Sequence, residues 1–386
     1  MKYTRSFLRV ALSGLIGAGA LLGSAASAEE LRYAMGMPPG SISAQIGEDY
    51  AEAVKEYSDG EVTVKVYPLS LLNFAETSAG VRDGIADIGY LLAPYFPSEY
   101  PHFNMIAEAS MVLTLMGEEV RGREGMAYVG AMSEFVFFDC PECNQDFADQ
   151  NQVFTGSTGS SPYILQCTEP VTTIEDVKGK RLRVGAASWS RWAEDIGAVP
   201  VTMSANEMLE ALDQGVVDCI VLSVPEIRNF GLGDTVTDIT RVVPGGIFAG
   251  TAVTNFNRDT WQSLNDNERA ALLRAGAITS AATPWEYHKR HETILAEMEQ
   301  EGAEVHDPDP ALVEEIRAFT REDMETIAEN YSDKHGVERG EEMIARFREL
   351  LDKWVGLVQD VDSRQELVDL YWEEIFSRVD PATHGM

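Results

Sequence analysis

The chain has 386 residues, with 63 acidic against 30 basic side chains and a formal charge of −33. Such an acidic excess repels nucleic acid and anionic membrane surfaces, so a nucleic-acid partner is not expected. The length suffices for two domains, each with a substantial core.

Residues 1–28 hold Lys2, Arg5 and Arg9, then an apolar stretch from Val10 to Leu22, then Ala26, Ser27 and Ala28. That order of charge, apolar stretch and small residues is the pattern of a cleaved secretory signal. The expected mature chain starts at Glu29 and keeps 27 basic against 63 acidic residues, a formal charge of −36. No other uncharged run is long enough to span a bilayer, so direct membrane insertion is not expected. The residue directly after the expected cleavage site is Glu29 and not a cysteine, which argues against a lipid anchor.

The mature chain opens on alternating elements: a strand over 31–35, a helix over 43–57, a strand over 62–67, a helix over 74–82 and a strand over 86–92. The segment RDGIADI at 82–88 puts a glycine before two apolar residues and an aspartate, as expected where a helix hands over to a central strand. Tyr90 then falls at a strand end, where its hydroxyl can face a cleft.

Four cysteines follow: Cys140, Cys143, Cys167 and Cys219. In an oxidising compartment they allow three pairings. The CPEC spacing at 140–143 lacks a thioredoxin-like context, and no second close pair completes a zinc site. The expected bridge is Cys143 to Cys167, joining the residues before and after a strand pair over 152–166. The Gly/Ser-rich stretch 155–161 reads as a hinge or turn between lobes, and Tyr163 just beyond it as a polar pocket candidate.

Within residues 179–220, Leu182 and Val184 alternate with Arg181 and Arg183 as in a short strand, which Gly185 ends. Arg183 therefore falls near a strand's carboxyl end, where open α/β sheets bind ligands. Residues 199–202 read as the next strand, Ser204 and Glu207 as a capping box, and 216–222 as a buried strand. DQGVVDC at 213–219 echoes the earlier RDGIADI, so two lobes of similar build are expected. Trp189 lies six residues past Arg183 as a wall candidate, Ser223 is a polar candidate and Phe248 an apolar cover.

Beyond residue 258 the chain turns helical and charged, with segments over 265–282 and 285–301 and Pro284 as a kink or helix start. After the DPDP turn at 307–310, amphipathic segments follow around 311–330, 340–355 and 362–379. His288 and His291 lie three apart among charged neighbours, a solvated face rather than a metal edge. No phosphate-cradling loop, zinc motif or nucleophile elbow occurs, so neither a cofactor nor a metal is expected.

On VRDGIADIGY at 81–90, EDVKGKRLRV at 175–184, GAVPVTMSANEMLEALDQGVVD at 197–218 and the long helical tail, the chain resembles the extracytoplasmic solute receptors of TRAP transporters, of the dicarboxylate-receptor type. The resemblance implies a two-lobed α/β periplasmic binding protein with hinge strands and a long interlobe helix. The expected division places 29–157 with 246–285 in lobe I, and 158–245 with 286–386, including a helical C-terminal extension, in lobe II. It also implies that the GKRLRV arginine, here Arg183, forms a salt bridge to a ligand carboxylate. Many relatives add an asparagine after the next turn, where VDCIVLSVPE places Leu222 or Ser223. A second basic contact known in some members falls near Glu169 and is absent.

The function expected on this basis is a periplasmic receptor, not an enzyme, that captures a small organic acid and delivers it to a sodium-coupled TRAP permease in the membrane. The alternatives are a receptor of the ABC type and a secreted hydrolase, for which no nucleophile, base and orienting residue come together.

Overall fold

Residues 29–386 are described in the computed structural model; the leader expected over 1–28 lies outside them. The first sheet gathers β1 (Glu29–Met35), β2 (Val62–Pro68), β3 (Ile88–Leu92), β4 (Gln152–Val153) and β5 (Ser157–Thr158), together with a late strand, Thr251–Asn257. The second sheet gathers β6 (Tyr163–Cys167), β7 (Arg181–Val184), β8 (Val199–Thr202), β9 (Cys219–Ser223) and β10 (Asp238–Pro244). The late strand is β11, and β12 (Glu304–His306) closes the second sheet's edge.

Both sheets follow one plan. In the first, β2, β1 and β3 run parallel and β11 is antiparallel against β3. In the second, β8, β7 and β9 run parallel and β6 is antiparallel against β9. The innermost strands β3 and β9 are buried throughout, which explains their unbroken apolar runs.

The echoed aspartates perform the same task in each lobe. Asp87, just ahead of β3, accepts the Arg32 backbone N–H at 2.8 Å, Nε at 2.9 Å and Nη2 at 3.0 Å from the neighbouring β1. Asp218, just ahead of β9, accepts the Arg181 backbone N–H at 2.7 Å, Nε at 3.0 Å and Nη2 at 2.5 Å from β7. Gly84 and Gly215 precede these strands at φ 72° and 65°, left-handed values that suit glycine where a helix ends.

Two extended chain segments run as a pair between the sheets. One leads from β5 to β6 through Gly159 and Ser160, the other from β10 to β11 through Gly245–Gly250. They run side by side, with Ser160 N donating to Phe248 O at 3.1 Å, Tyr163 N to Gly246 O at 2.9 Å and Gly245 N to Tyr163 O at 3.0 Å.

The helix Asp266–Glu301 is one continuous element of 36 residues, so Pro284 neither starts nor breaks it. Proline removes the N–H that would bond the carbonyl four residues back. Here that carbonyl, Ser280 O, accepts the Thr158 hydroxyl at 3.3 Å instead. Asn265 with Glu268 forms a capping box at the start, and Gly302 at φ 105° ends the helix.

The tail helices dock on the segment between β3 and β4. Helix Gly340–Leu357 packs on helix Glu124–Phe138, with Phe347 and Tyr128 ring centres 4.9 Å apart and Trp354 Nε1 donating to Glu134 at 2.7 Å. Helix Arg364–Glu374 lies against the long helix, whose buried face includes Ala277 and Ala281. Among the described residues no helix is long and apolar enough to cross a membrane.

The bridges are Cys140–Cys143 and Cys167–Cys219, which corrects the expected Cys143–Cys167 pair. The reason is register. Cys167 on β6 stands directly opposite Cys219 on β9, with 4.1 Å between their Cα atoms, while Cys143 sits in the helix Pro141–Asp149 beside Cys140.

Candidate ligand-binding site

Arg183 is the third residue of the four-residue β7, near its carboxyl end as the alternation predicts, and only 1 % exposed. Its Nη2 donates to the Met203 carbonyl at 2.9 Å and to the Tyr95 hydroxyl at 2.9 Å, while Nε reaches Met203 O at 3.3 Å. Among the described residues Nη1 has no hydrogen-bond partner, and no carboxylate forms a salt bridge with this guanidinium. A buried cation without a counter-charge is costly, so the site is electrically incomplete.

The cavity before Arg183 is lined by residues of both lobes. Tyr90 comes from the middle of β3, Leu92 from its end and Tyr95 from the turn after it, and Phe74 from the segment before helix Thr77–Arg82. Tyr163 and Phe248 come from the paired hinge segments, Leu222 from β9, and Glu226 and Phe230 from the turn beyond. The space left measures about 50 Å³. One water needs roughly 10–15 Å³ on this kind of measure, so this closed arrangement leaves room for a few waters or a small polar group, and a larger acid enters only as the lobes part.

Four of the six sequence candidates, Arg183, Tyr90, Tyr163 and Phe248, line this cavity. Trp189 and Ser223 do not. The Trp189 ring stacks behind Tyr163 with centroids 4.3 Å apart, and its N–H donates to the Gly245 carbonyl at 3.0 Å. It therefore backs the wall rather than forming it. Ser223 is fully buried, and its Oγ has no partner; the neighbouring Leu222 takes the cavity position.

Sequence reasoning missed two polar residues. The Tyr95 hydroxyl accepts from Arg183 Nη2 and from Ala205 N, each at 2.9 Å, which leaves its own proton free to donate. Glu226 Oε1 accepts the Tyr287 hydroxyl at 2.7 Å and Oε2 the Asn229 amide at 2.8 Å. Burial pushes the Glu226 carboxyl above the ordinary glutamate value, against those two bonds and the charge of Arg183, which pull it down. The aromatic APYF segment after β3 signalled neither role, because Arg183 and Tyr95 lie 88 residues apart in sequence.

The lobes touch across the cavity mouth. Besides Tyr95, Asn206 donates to Gly36 O at 2.8 Å, and Asn229 Oδ1 accepts from Ile42 N, at the start of helix Ile42–Tyr57, at 3.0 Å. These contacts join residues before β4 to residues after β8, so the structure shows the two lobes closed on one another.

The histidines stand apart from this site. His288 and His291 are half-buried in a separate groove, where burial lowers both below the usual histidine value, rather than on a solvated face. Among the described residues one cluster offers three ligand atoms, Asp238, Glu304 and His306 at the β10–β12 edge, and none of them lines the cavity.

Comparison with known proteins agrees with this architecture. Residues 146–331 match the profile of the bacterial extracellular solute-binding protein family 7 (DctP). The chain is 22 % identical over 313 residues to the outer membrane transporter protein TsaT of Comamonas testosteroni, covering 81 % of this chain and 88 % of that protein. The crystal structure of DctP7, a Bordetella pertussis extracytoplasmic solute receptor binding pyroglutamic acid, superposes with a TM-score of 0.68 at 22 % identity, over 83 % of this chain and 100 % of that one. A marine metagenome TRAP solute binding protein specific for aromatic acid ligands gives a TM-score of 0.70 at 20 % identity, over 85 % and 99 %.

The resemblance read from the motifs therefore stands, in fold as well as in sequence. In fold the chain is similar to the TRAP solute-binding receptors, which are binding proteins and not enzymes.

Proposed function

We propose that this TRAP-type receptor captures a small organic acid by its carboxylate on Arg183 and delivers it to a membrane permease of the TRAP class. The observation that carries the reading is a buried guanidinium with a free Nη1 and no carboxylate partner, facing a cavity between two lobes. A ligand carboxylate supplies the missing charge. One oxygen takes the Nη1 hydrogens and the other the Tyr95 hydroxyl proton, and charge-assisted bonds of this kind are each worth about 1.5–3 kcal/mol.

Tyr95 belongs to one lobe and Arg183 to the other, so both engage the ligand only when the lobes are closed. Closure about the Gly159–Ser160 and Gly245–Gly250 segments is then favoured by the bound acid. In this reading residues 29–157 with 246–285 form the first lobe and 158–245 the second, while the tail helices Gly340–Leu357 and Arg364–Glu374, expected with the second, pack on the first. Relatives of this fold bind pyroglutamic acid and aromatic acids, which supports an organic acid as the ligand class. Export through the 1–28 leader places the receptor in the periplasm, beside its permease.

The test is calorimetry of the mature chain against a panel of organic acids, with Arg183→Ala and Arg183→Lys alongside. One acid is expected to bind the parent, with a loss of at least about hundredfold for Ala and at least about tenfold for Lys. Unchanged affinity in either variant, with folding verified by circular dichroism, contradicts the assignment.

A further inference from the structure

The cavity holds a second charged group that carboxylate capture leaves unused. Glu226 lines it together with Arg183, yet no salt bridge joins the two. Among the described residues no lysine, arginine or histidine pairs with Glu226; its partners are the neutral Tyr287 hydroxyl and Asn229 amide. A carboxylate offers about four acceptor positions, so roughly two are open.

The surroundings favour a positive partner over water. Phe74, Tyr90, Phe230 and Phe248 wall the same cavity, and aromatic faces attract cations. Burial holds the Glu226 carboxyl above the ordinary glutamate value even against the charge of Arg183. One cavity thus presents a guanidinium and a carboxyl with no salt bridge between them. Its complement is a molecule carrying both signs.

We infer that Glu226 is the second charged anchor of the pocket and that the ligand is a small zwitterion, its carboxylate on Arg183 and a protonated nitrogen on Glu226. The assignment rests on the reading of Arg183 as the carboxylate anchor and adds the substrate class. Glu226 also ties the turn after β9 to Tyr287 on the long helix, so the test must separate ligand recognition from support of closure.

Matched ligand pairs make that separation. Calorimetry on the mature chain compares proline with cyclopentanecarboxylate, pipecolate with cyclohexanecarboxylate and phenylglycine with phenylacetate. The nitrogen-bearing member of at least one pair is expected to bind at least about tenfold tighter, a typical worth of a hydrogen bond to a charged group. Glu226→Gln is expected to reduce that preference to about threefold or less by weakening the nitrogen-bearing member more than its partner; Glu226→Asp, which keeps the charge, retains part of the preference.

Equal binding of both members by the parent overturns the inference. So does a Glu226→Gln loss shared equally by both members, which would make the residue only a support for closure. Arg183→Lys separates the two assignments, since it is expected to weaken both members alike. If it weakens neither while Glu226→Gln still abolishes the preference, the carboxylate reading fails and the Glu226 assignment stands. Binding of nitrogen-free acids alone overturns Glu226 and leaves Arg183 in place, and binding of neither kind overturns both.

Discussion

Arg183 and Arg191 stand eight residues apart in one segment, and their surroundings are opposite. Arg191, on helix Ala187–Asp195, meets Asp323 through Nε at 2.5 Å and Nη2 at 2.9 Å, and Glu108 through Nη1 at 2.8 Å. Tyr331 completes the cluster by donating to Glu108 at 2.7 Å. Arg183 has a carbonyl and a phenol for partners and one nitrogen free. A cation whose charge is matched by its own chain fastens helices together. One left unmatched beside a cavity is available to a ligand.

The largest expected effect breaks the matched side of this contrast. Arg191→Ala leaves Glu108 and Asp323 buried without their counter-charge, and loss of one partner from such a cluster costs about 3–5 kcal/mol. Denaturant unfolding is expected to show that loss, while acid binding at a permissive temperature stays within about threefold of the parent. Lost binding with unchanged stability would reverse the roles given to the two arginines.

A middle-sized effect concerns the strand that carries Arg183. Leu182 of β7 pairs with Cys219 of β9, and the bridge to Cys167 closes a loop with a sequence separation of 52. Replacing both Cys167 and Cys219 by serine is expected to cost about 2–4 kcal/mol. Replacing Cys140 and Cys143, separated by 3, costs less because the constrained loop is short. Equal losses in thermal unfolding would show that loop length does not set the difference.

The smallest effect lies in the two aspartates of the echo. Arg181 hydrogen bonds hold the Asp218 carboxyl below the usual aspartate value. Burial opposes ionisation of Asp87, yet the bonds from Arg32 outweigh it and lower that group too. A lowered folded-state pKa gives stability that is complete above the unfolded value of about 3.9 and is lost as pH falls through the folded one. Asp87→Asn and Asp218→Asn are therefore expected to be less stable than the parent at pH 7, with the gap narrowing below about pH 4. A gap that widens on acidification contradicts the pairing.

Much of the fold was legible because it is written locally. Alternation marked β7, the Ser204–Glu207 capping box is present at the start of Ala205–Glu207, and Gly84 and Gly215 end helices ahead of central strands. The echo itself reflected a structural ion pair repeated in each lobe. What resisted reading depends on residues far apart in sequence. The cysteine pairing follows from β6–β9 register, and the continuity of the helix through Pro284 follows from a hydroxyl on Thr158.

The site divides the same way. Arg183 was visible from its place in a strand, but Tyr95 and Glu226 acquire their roles only when the lobes meet around it. Trp189 had the right spacing and the wrong layer, since helix Ala187–Asp195 turns its ring behind Tyr163.

The most direct measurement is a crystal structure of the mature chain with the acid that calorimetry selects. The account predicts a ligand carboxylate oxygen about 2.7–2.9 Å from Arg183 Nη1, the distance of a charge-assisted hydrogen bond. A ligand bound with no anionic group within about 4 Å of that guanidinium, and Arg183 still held only by Met203 and Tyr95, would contradict it.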